Sequence, residues 1–213
     1  MIAAAEAAAL DRMTLGVAVL DLAAGTVVQR GAGEFYSASL SKLMLVVDML
    51  DRDVELSDGD RRLINRALSS SDDNAMNALW GRFDGPAAMT RVGSALGMAG
   101  TETPDDPSQW GETEVSPGGY ARLFQHIVTE MDPADRAVIV DALSAAPPEA
   151  ADGFDQFFGL LAHPGEHYAK QGWMYWGSRL YLHSAGVLKV GGRDYVVRSE
   201  EHTSELQSRT LIS

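Results

Sequence analysis

A serine and a lysine stand three residues apart, Ser39 and Lys42, where a polar loop becomes an apolar run without Gly or Pro. Such a run predicts a buried helix, and residues three apart share one helix face, so the hydroxyl and the amine can meet. Apolar neighbours would desolvate the amine and favour its neutral, basic form. N–H groups at the helix start would stabilise an oxyanion. The pattern predicts Ser39 as nucleophile and Lys42 as its general base.

The same short pattern has a purely structural interpretation, because a serine at a helix start often only caps the helix. Composition favours the chemical interpretation. The chain has 17 basic residues, of which only Lys42, Lys170 and Lys189 are lysines. A lysine can lose its proton and act as a base, whereas an arginine cannot.

Composition limits the remaining classes. The chain has 213 residues, 46% of them hydrophobic, enough for one globular domain with a substantial core. A net charge of −13 argues against binding nucleic acid or an anionic membrane. There is no cysteine, which excludes disulfides and thiolate metal sites, and the five histidines lack metal-site spacing. We therefore predict no metal and no cofactor.

The two ends of the chain differ from the rest. Residues 3–10 are rich in alanine and predict a helix, with no signal peptide before them. Residues 198–208 resemble the translation of a common sequencing adapter, so residues 198–213 are predicted to be a non-native tail. A natural polar tail is the alternative. The prediction leaves 1–197 as a single catalytic domain.

Periodicity predicts a β-hairpin, then helices, then strands again. The hairpin covers residues 14–30. The predicted helices cover residues 39–52, 60–68, 74–80, 85–96, 116–130, 132–145 and 151–161, and the later strands cover 170–174, 181–188 and 195–197. This order predicts an α+β fold: one antiparallel sheet built from residues 1–38 and 165–197, with a helical lobe of residues 39–164 inserted. A ligand cleft is expected between them.

Three polar motifs fall at that cleft: Ser39-x-x-Lys42, then Ser71-Asp72-Asp73, then Lys170-Gln171-Gly172. In type and order they resemble the Ser-x-x-Lys, Ser-Asp-Asn and Lys-Thr-Gly motifs of the penicillin-binding and class A β-lactamase superfamily of serine hydrolases. The resemblance covers essentially residues 3–197. It implies a three-layer α/β/α fold of the β-lactamase or DD-peptidase type.

The resemblance also implies catalytic roles. Ser39 would be acylated, with Lys42 as its base. Ser71 would pass a proton to the leaving nitrogen, and Lys170 would hold that serine and a substrate carboxylate. The backbone N–H groups of Ser39 and Trp173 would form the oxyanion hole. Taken singly, Ser71 is better explained as a helix cap and Lys170 as an ordinary strand lysine.

Two substrate-binding positions depart from the family pattern. Asp73 replaces an amide that would donate a hydrogen bond to the substrate, which an ionised carboxylate cannot do. Gln171 replaces a threonine, removing a hydroxyl that would contact a substrate carboxylate. With Gly172 and Trp173, these complete the predicted substrate-binding set.

The loop of residues 98–116 lacks a clear counterpart of the glutamate that activates the deacylating water in class A β-lactamases. Glu102, Glu112 and Glu114 are the candidates in this loop, and solvated acids are the better interpretation of all three. The sequence therefore favours an acyl-enzyme that turns over slowly.

The resulting prediction is a monomeric serine hydrolase whose acyl donor is a β-lactam or a peptidoglycan stem peptide ending in D-Ala-D-Ala. Family resemblance implies an extracytoplasmic location. Two alternatives remain: a catalytically impaired binding or structural module with the same fold, and a simple helical interaction protein without the later strands.

Overall fold

The computed structural model describes residues 14–31 and 33–204. Its main sheet has five antiparallel strands in the order β2-β1-β7-β6-β5, so both ends of the chain contribute to it, as predicted. A small second sheet pairs β3 with β4. The strands are β1 Thr14–Asp21, β2 Thr26–Arg30, β3 Phe35–Tyr36, β4 Glu114–Val115, β5 His167–Trp176, β6 Arg179–Val190 and β7 Arg193–Ser204.

Six α-helices lie between β3 and β5. They are α1 Ser41–Asp51, α2 Asp58–Ser69, α3 Asp73–Arg82, α4 Gly85–Ala95, α5 Pro117–Thr129 and α6 Pro133–Ser144. Their starts follow from the sequence. Ser57 forms a capping box with Asp60 before α2, while Ser116 and Asp132 cap α5 and α6, each followed by a proline.

Helix α1 is the central element of the core. Every residue of α1 from Ser41 to Leu50 is buried, so its first turn is held rigidly inside the protein. Helix α5 packs against β1 and β7, and its Tyr120 donates a hydrogen bond to Leu40 O at 2.9 Å. The sheet with its flanking helices confirms the predicted α+β fold.

The predicted helix over residues 151–161 is wrong. This segment is a series of turns in which aspartate side chains accept hydrogen bonds from nearby backbone N–H groups: Asp152 from Phe154 and Asp155 from Phe157, at 3.0 and 2.9 Å. Such local bonds compete with helix formation. Gly153 also has a left-handed φ of 87°, which a continuous helix cannot contain.

The last strand is longer than the sequence analysis predicted. β7 pairs with β1 and β6 beyond Val197, and Arg198 and Glu200 are both fully buried in it. The last strand of the sheet therefore ends at Ser204 and not at residue 197 as predicted. That residues 198–213 are a non-native tail stays a prediction. The predicted helix at residues 3–10 lies outside the described residues.

Within the described part of the chain, no helix is both long enough and apolar enough to cross a membrane.

Candidate active site

Ser39 and Lys42 meet where the chain enters α1. Ser39 lies in a buried 3₁₀ turn, Ala38–Leu40, directly before that helix. The Lys42 Nζ donates a hydrogen bond to Ser39 Oγ at 2.8 Å. Ala38 has a left-handed φ of 47°, a strained value for a residue with a side chain that is commonly found at functional sites. The predicted pairing of hydroxyl and amine is thus present.

Ser71 stands between the two lysines of the site. Its Oγ accepts hydrogen bonds from Lys42 Nζ at 3.2 Å and from Lys170 Nζ at 2.8 Å, and its carbonyl accepts from Lys42 at 2.6 Å. Its φ of 56° is also left-handed. Ser71 is not the cap of α3, since Asp72 has that role and accepts from Ala75 N. The capping alternative for Ser71 is therefore excluded.

Strand β5 brings the third motif against the Ser39 turn. Lys170 is fully buried and also donates to Gln171 O at 2.7 Å, so it is not an ordinary surface lysine. A Cβ added to Gly172 would lie 3.1 Å from Ser37 O and 3.3 Å from Ser39 N. Glycine at this position therefore allows β5 to approach the backbone of the nucleophile turn.

Burial shapes the protonation of both lysines. It lowers the pKa of Lys42, while the nearby carboxylate of Asp73 opposes that shift. Burial, reinforced by the charge of Lys42, lowers the pKa of Lys170 well below its usual value. Both amines thus lose their protons more easily than a solvated lysine does. This is the property that a general base requires.

Asp73 binds Lys42 as well as facing the cleft. Its Oδ1 lies 2.6 Å from Lys42 Nζ, and its side chain remains 59% exposed. A residue predicted only as a substrate contact is therefore also an ion-pair partner of the predicted base.

A cavity of about 480 Å³ opens beside Ser39. Trp173 forms part of its wall, stacks on Phe154 at a centroid distance of 4.6 Å and donates from Nε1 to Asp152 Oδ2 at 2.9 Å. Residues from all three motif-bearing regions and two loops line it: Ala38, Ser39, Asp73, Asn77, Ser108, Gln109, Trp110, Gly111, Asp152, Trp173 and Met174.

Gly172 and Gln171 were predicted to bind substrate, but neither lines the cavity. The Gln171 side chain is buried, and its Nε2 donates to the carbonyl oxygens of Gln156 and Phe158. These bonds anchor the loop before β5. Gln171 does not line the cavity, so it does not replace the hydroxyl of the family's threonine.

The three loop glutamates also lie away from the cavity lining. Glu102 and Glu114 pair through their backbones, at N–O distances of 3.1 and 2.9 Å, and Glu112 belongs to the 3₁₀ turn Trp110–Glu112. Burial raises the pKa of both Glu112 and Glu114. None of the three therefore lines the cavity beside Ser39.

Trp110 and Asp152 line the cavity but were not among the residues predicted from the sequence. The Trp110 ring lies over Lys42, with Nζ 4.8 Å from the ring centroid, and its Nε1 donates to Asn77 Oδ1 at 2.8 Å. Trp110 could have been identified from the sequence as a large aromatic residue in an otherwise polar and acidic loop. Asp152 gave no comparable signal, because the turn that presents it was predicted as helix.

No group of three or more His, Cys, Asp or Glu side chains arranged to hold a metal ion occurs in the part of the chain that the structure describes.

Comparison with solved structures gives the same fold. The TLA-3 extended-spectrum β-lactamase matches with a TM-score of 0.80 at 13% identity, over 99% of this chain and 92% of that one. PBP-A matches with a TM-score of 0.76 at 18% identity, over 96% and 88%. A β-lactamase from Streptomyces albus G matches with 0.71 at 21%, over 96% and 89%. The predicted resemblance is confirmed at the level of fold.

Sequence comparison gives a more similar relative. No protein-family model matches the chain. It is 34% identical over 223 aligned residues to the protein named "Putative lipoprotein LppW" of Mycobacterium tuberculosis and of Mycobacterium bovis, covering 98% of this chain and 69% of the relative. The chain therefore belongs to the LppW family, and it has the fold of the β-lactamases and penicillin-binding proteins.

Proposed function

We propose that this chain is an active-site serine hydrolase that forms an acyl-enzyme at Ser39 with donors of the β-lactam or D-Ala-D-Ala type. The observation that carries the proposal is the connected set of hydrogen bonds from Ser39 Oγ through Lys42 Nζ and Ser71 Oγ to Lys170 Nζ. A serine that only capped a helix would not require hydrogen bonds that connect it to two buried lysines.

The proposed cycle uses each residue once. Ser39 Oγ attacks the donor carbonyl while Lys42 accepts its proton, and the C–N bond then breaks. Ser71 then gives its hydroxyl proton to the leaving nitrogen and takes the proton held by Lys42 in return, while Lys170 holds Ser71 in place. The N–H groups of Ser39 and Trp173 would stabilise the oxyanion, which the close approach of β5 at Gly172 supports.

The test is intact mass after incubation with a penicillin, on protein whose folding is checked by circular dichroism. We expect an adduct of the mass of the whole β-lactam on the parent and none on Ser39→Ala. If no adduct accumulates, release of a chromogenic β-lactam product distinguishes fast turnover from none. A folded parent with neither adduct nor turnover would contradict the proposal for β-lactam donors.

The Lys42–Asp73 ion pair favours a second candidate, a binding or structural module with the same fold. A carboxylate 2.6 Å from the amine favours the protonated lysine, which is not a base. Acylation of Ser39 by any donor would exclude this candidate.

Slow turnover of the acyl-enzyme is supported by the position of Trp110. Its ring covers Lys42, and none of the described residues that line the cavity is a glutamate that could activate water. Replacing Trp110 with alanine would make room for water beside the base. We expect Trp110→Ala to shorten the lifetime of the acyl-enzyme at least about tenfold. This factor is smaller than the rate acceleration that a fully positioned general base contributes.

Adduct mass followed after removal of excess donor measures that lifetime. Trp176→Ala is the matched control, because Trp176 is a partly exposed tryptophan at the end of β5 outside the cavity. Equal lifetimes in the parent and Trp110→Ala would show that the indole does not exclude the deacylating water.

The name of the mycobacterial relative supports a location at the cell envelope, outside the cytoplasm. A donor of the peptidoglycan type would be available there.

A further inference from the structure

Two aspartates face the cavity beside Ser39. Asp73 and Asp152 both line it and both are exposed. None of the described residues that line this cavity is a lysine, an arginine or a histidine. The charge that a bound molecule meets at the wall is therefore negative.

Lys42 offsets the charge of one of these carboxylates, because its Nζ lies 2.6 Å from Asp73 Oδ1. Lys42 and Lys170 are 0% and 1% exposed, and their amines donate to Ser39, Ser71, Asp73 and Gln171 O. Asp152 accepts a hydrogen bond from Trp173 Nε1 but forms no ion pair with any residue that the structure describes. The carboxylate of Asp152 is therefore the charge that a ligand meets.

The expected anchor for a substrate carboxylate is also missing. β-Lactams and D-Ala-D-Ala peptides carry a carboxylate near the reacting bond, and in the resembling family the third motif helps to hold it. Here Gln171 uses its amide on the carbonyl oxygens of Gln156 and Phe158. A carboxylate entering this cavity would meet Asp73 and Asp152 without a compensating donor from this motif.

The aromatic part of the wall adds to this preference only in part. Trp110 and Trp173 line the cavity, but the Trp110 ring already lies over Lys42 and Trp173 stacks on Phe154. Only the remaining face of each indole could attract a bound cation. We propose that the preferred acyl donor of this chain carries a positively charged group of the alkylammonium class on the part that lies beside Asp152. This inference rests on the acyl transfer proposed above.

Three matched thioesters of N-acetyl-D-alanine test the preference. Their leaving thiols are thiocholine, 3,3-dimethylbutanethiol and 3-mercaptopropionate, which are cationic, neutral and anionic. In each reaction the bond from Ser39 Oγ to the acyl carbon forms, the C–S bond breaks, and the thiol departs with the proton of the serine hydroxyl. The chain has no cysteine, so a thiol reagent detects only the released thiol.

Asp152→Asn is the informative variant, because asparagine keeps an oxygen that can accept from Trp173 Nε1 but removes the charge. The intrinsic reactivity of each thioester cancels in the ratio of the parent rate to the variant rate. We expect Asp152→Asn to slow the cationic donor about tenfold and to accelerate the anionic donor by a similar factor, as for a charge a few ångströms away. The neutral donor should change least, and added salt should reduce both effects.

Asp141→Asn is the charge-matched control, an exposed aspartate on α6 outside the cavity. It should change the three rates equally. Asp152→Asn ratios that do not depend on donor charge would overturn the inference and leave the proposed function intact.

No thiol release from any donor by the folded parent would instead count against the proposed function. Amide analogues of the cationic and anionic donors, which resist cleavage, are therefore titrated in parallel by calorimetry. Tighter binding of the cationic analogue supports the charge preference, and tighter binding of the anionic one overturns it, whatever the acylation experiment gives.

Discussion

Lys42→Arg is expected to lower the rate of Ser39 acylation about 10³-fold, within the range that a positioned base contributes. Arginine keeps a positive charge near Ser39, Ser71 and Asp73 but cannot accept a proton at ordinary pH. Adduct formation with a penicillin or a neutral thioester, followed by mass against time, measures the rate. Lys189→Arg is the control, because Lys189 is a partly exposed lysine paired with Glu166.

The pH dependence gives the same base a second signature. If neutral Lys42 is the active form, the acylation rate rises as pH increases through the pKa of Lys42. The Asp73 carboxylate raises that pKa, so Asp73→Asn should move the rise to lower pH. Acylation by Lys42→Arg within threefold of the parent rate, or a pH profile that Asp73→Asn does not move, would show that another group removes the proton.

Glu200→Ala is expected to destabilise the fold by about 3–5 kcal/mol, because it leaves Arg198 as an unpaired charge in the core. The two side chains lie two residues apart on one face of β7 and form a fully buried ion pair. The Arg198 guanidinium also lies 4.4 Å from the ring centroid of Tyr120 on α5. Among the described residues, several of their polar atoms have no hydrogen-bond partner.

Replacing both residues of the pair together should not destabilise the fold. Arg198→Met with Glu200→Leu removes both buried charges and keeps similar volumes, so we expect a neutral effect or a gain of about 1–4 kcal/mol. Urea unfolding measures both variants, with an unchanged slope showing that two-state behaviour is kept. Ser199→Ala, whose side chain points to the other face of the strand, is the control. A destabilised double variant would show that the ion pair contributes net stability.

Local chemistry explains which elements were predictable from sequence. Capping residues followed by proline identify the starts of α5 and α6, and turn glycines separate the hairpin strands. The three active-site motifs were recognisable because each occupies a fixed type of element, a helix start, a break between helices and a strand. Packing of these elements against one another brings Lys42 and Lys170 to the Ser71 hydroxyl.

Other features depend on contacts that a linear pattern does not contain. Phe154, Phe157 and Phe158 have helical spacing, but the first stacks on Trp173 in a turn that Asp152 and Asp155 stabilise. The two-residue strands β3 and β4 are too short to have a period. The direction of the Gln171 amide depends on loop carbonyl groups brought near it only by the fold.

The hydrogen bonds through Ser71 have a mechanical consequence. Lys42 belongs to a buried helix, Lys170 to a strand of the sheet, and both bind the same hydroxyl. The hydrogen bonds of Lys42, Ser71 and Lys170 therefore connect the sheet to the helices at the bottom of the cleft. Separating the sheet from the helices would expose both lysines to solvent. We therefore expect the geometry around Ser39 to be lost in the same denaturation transition as the global fold.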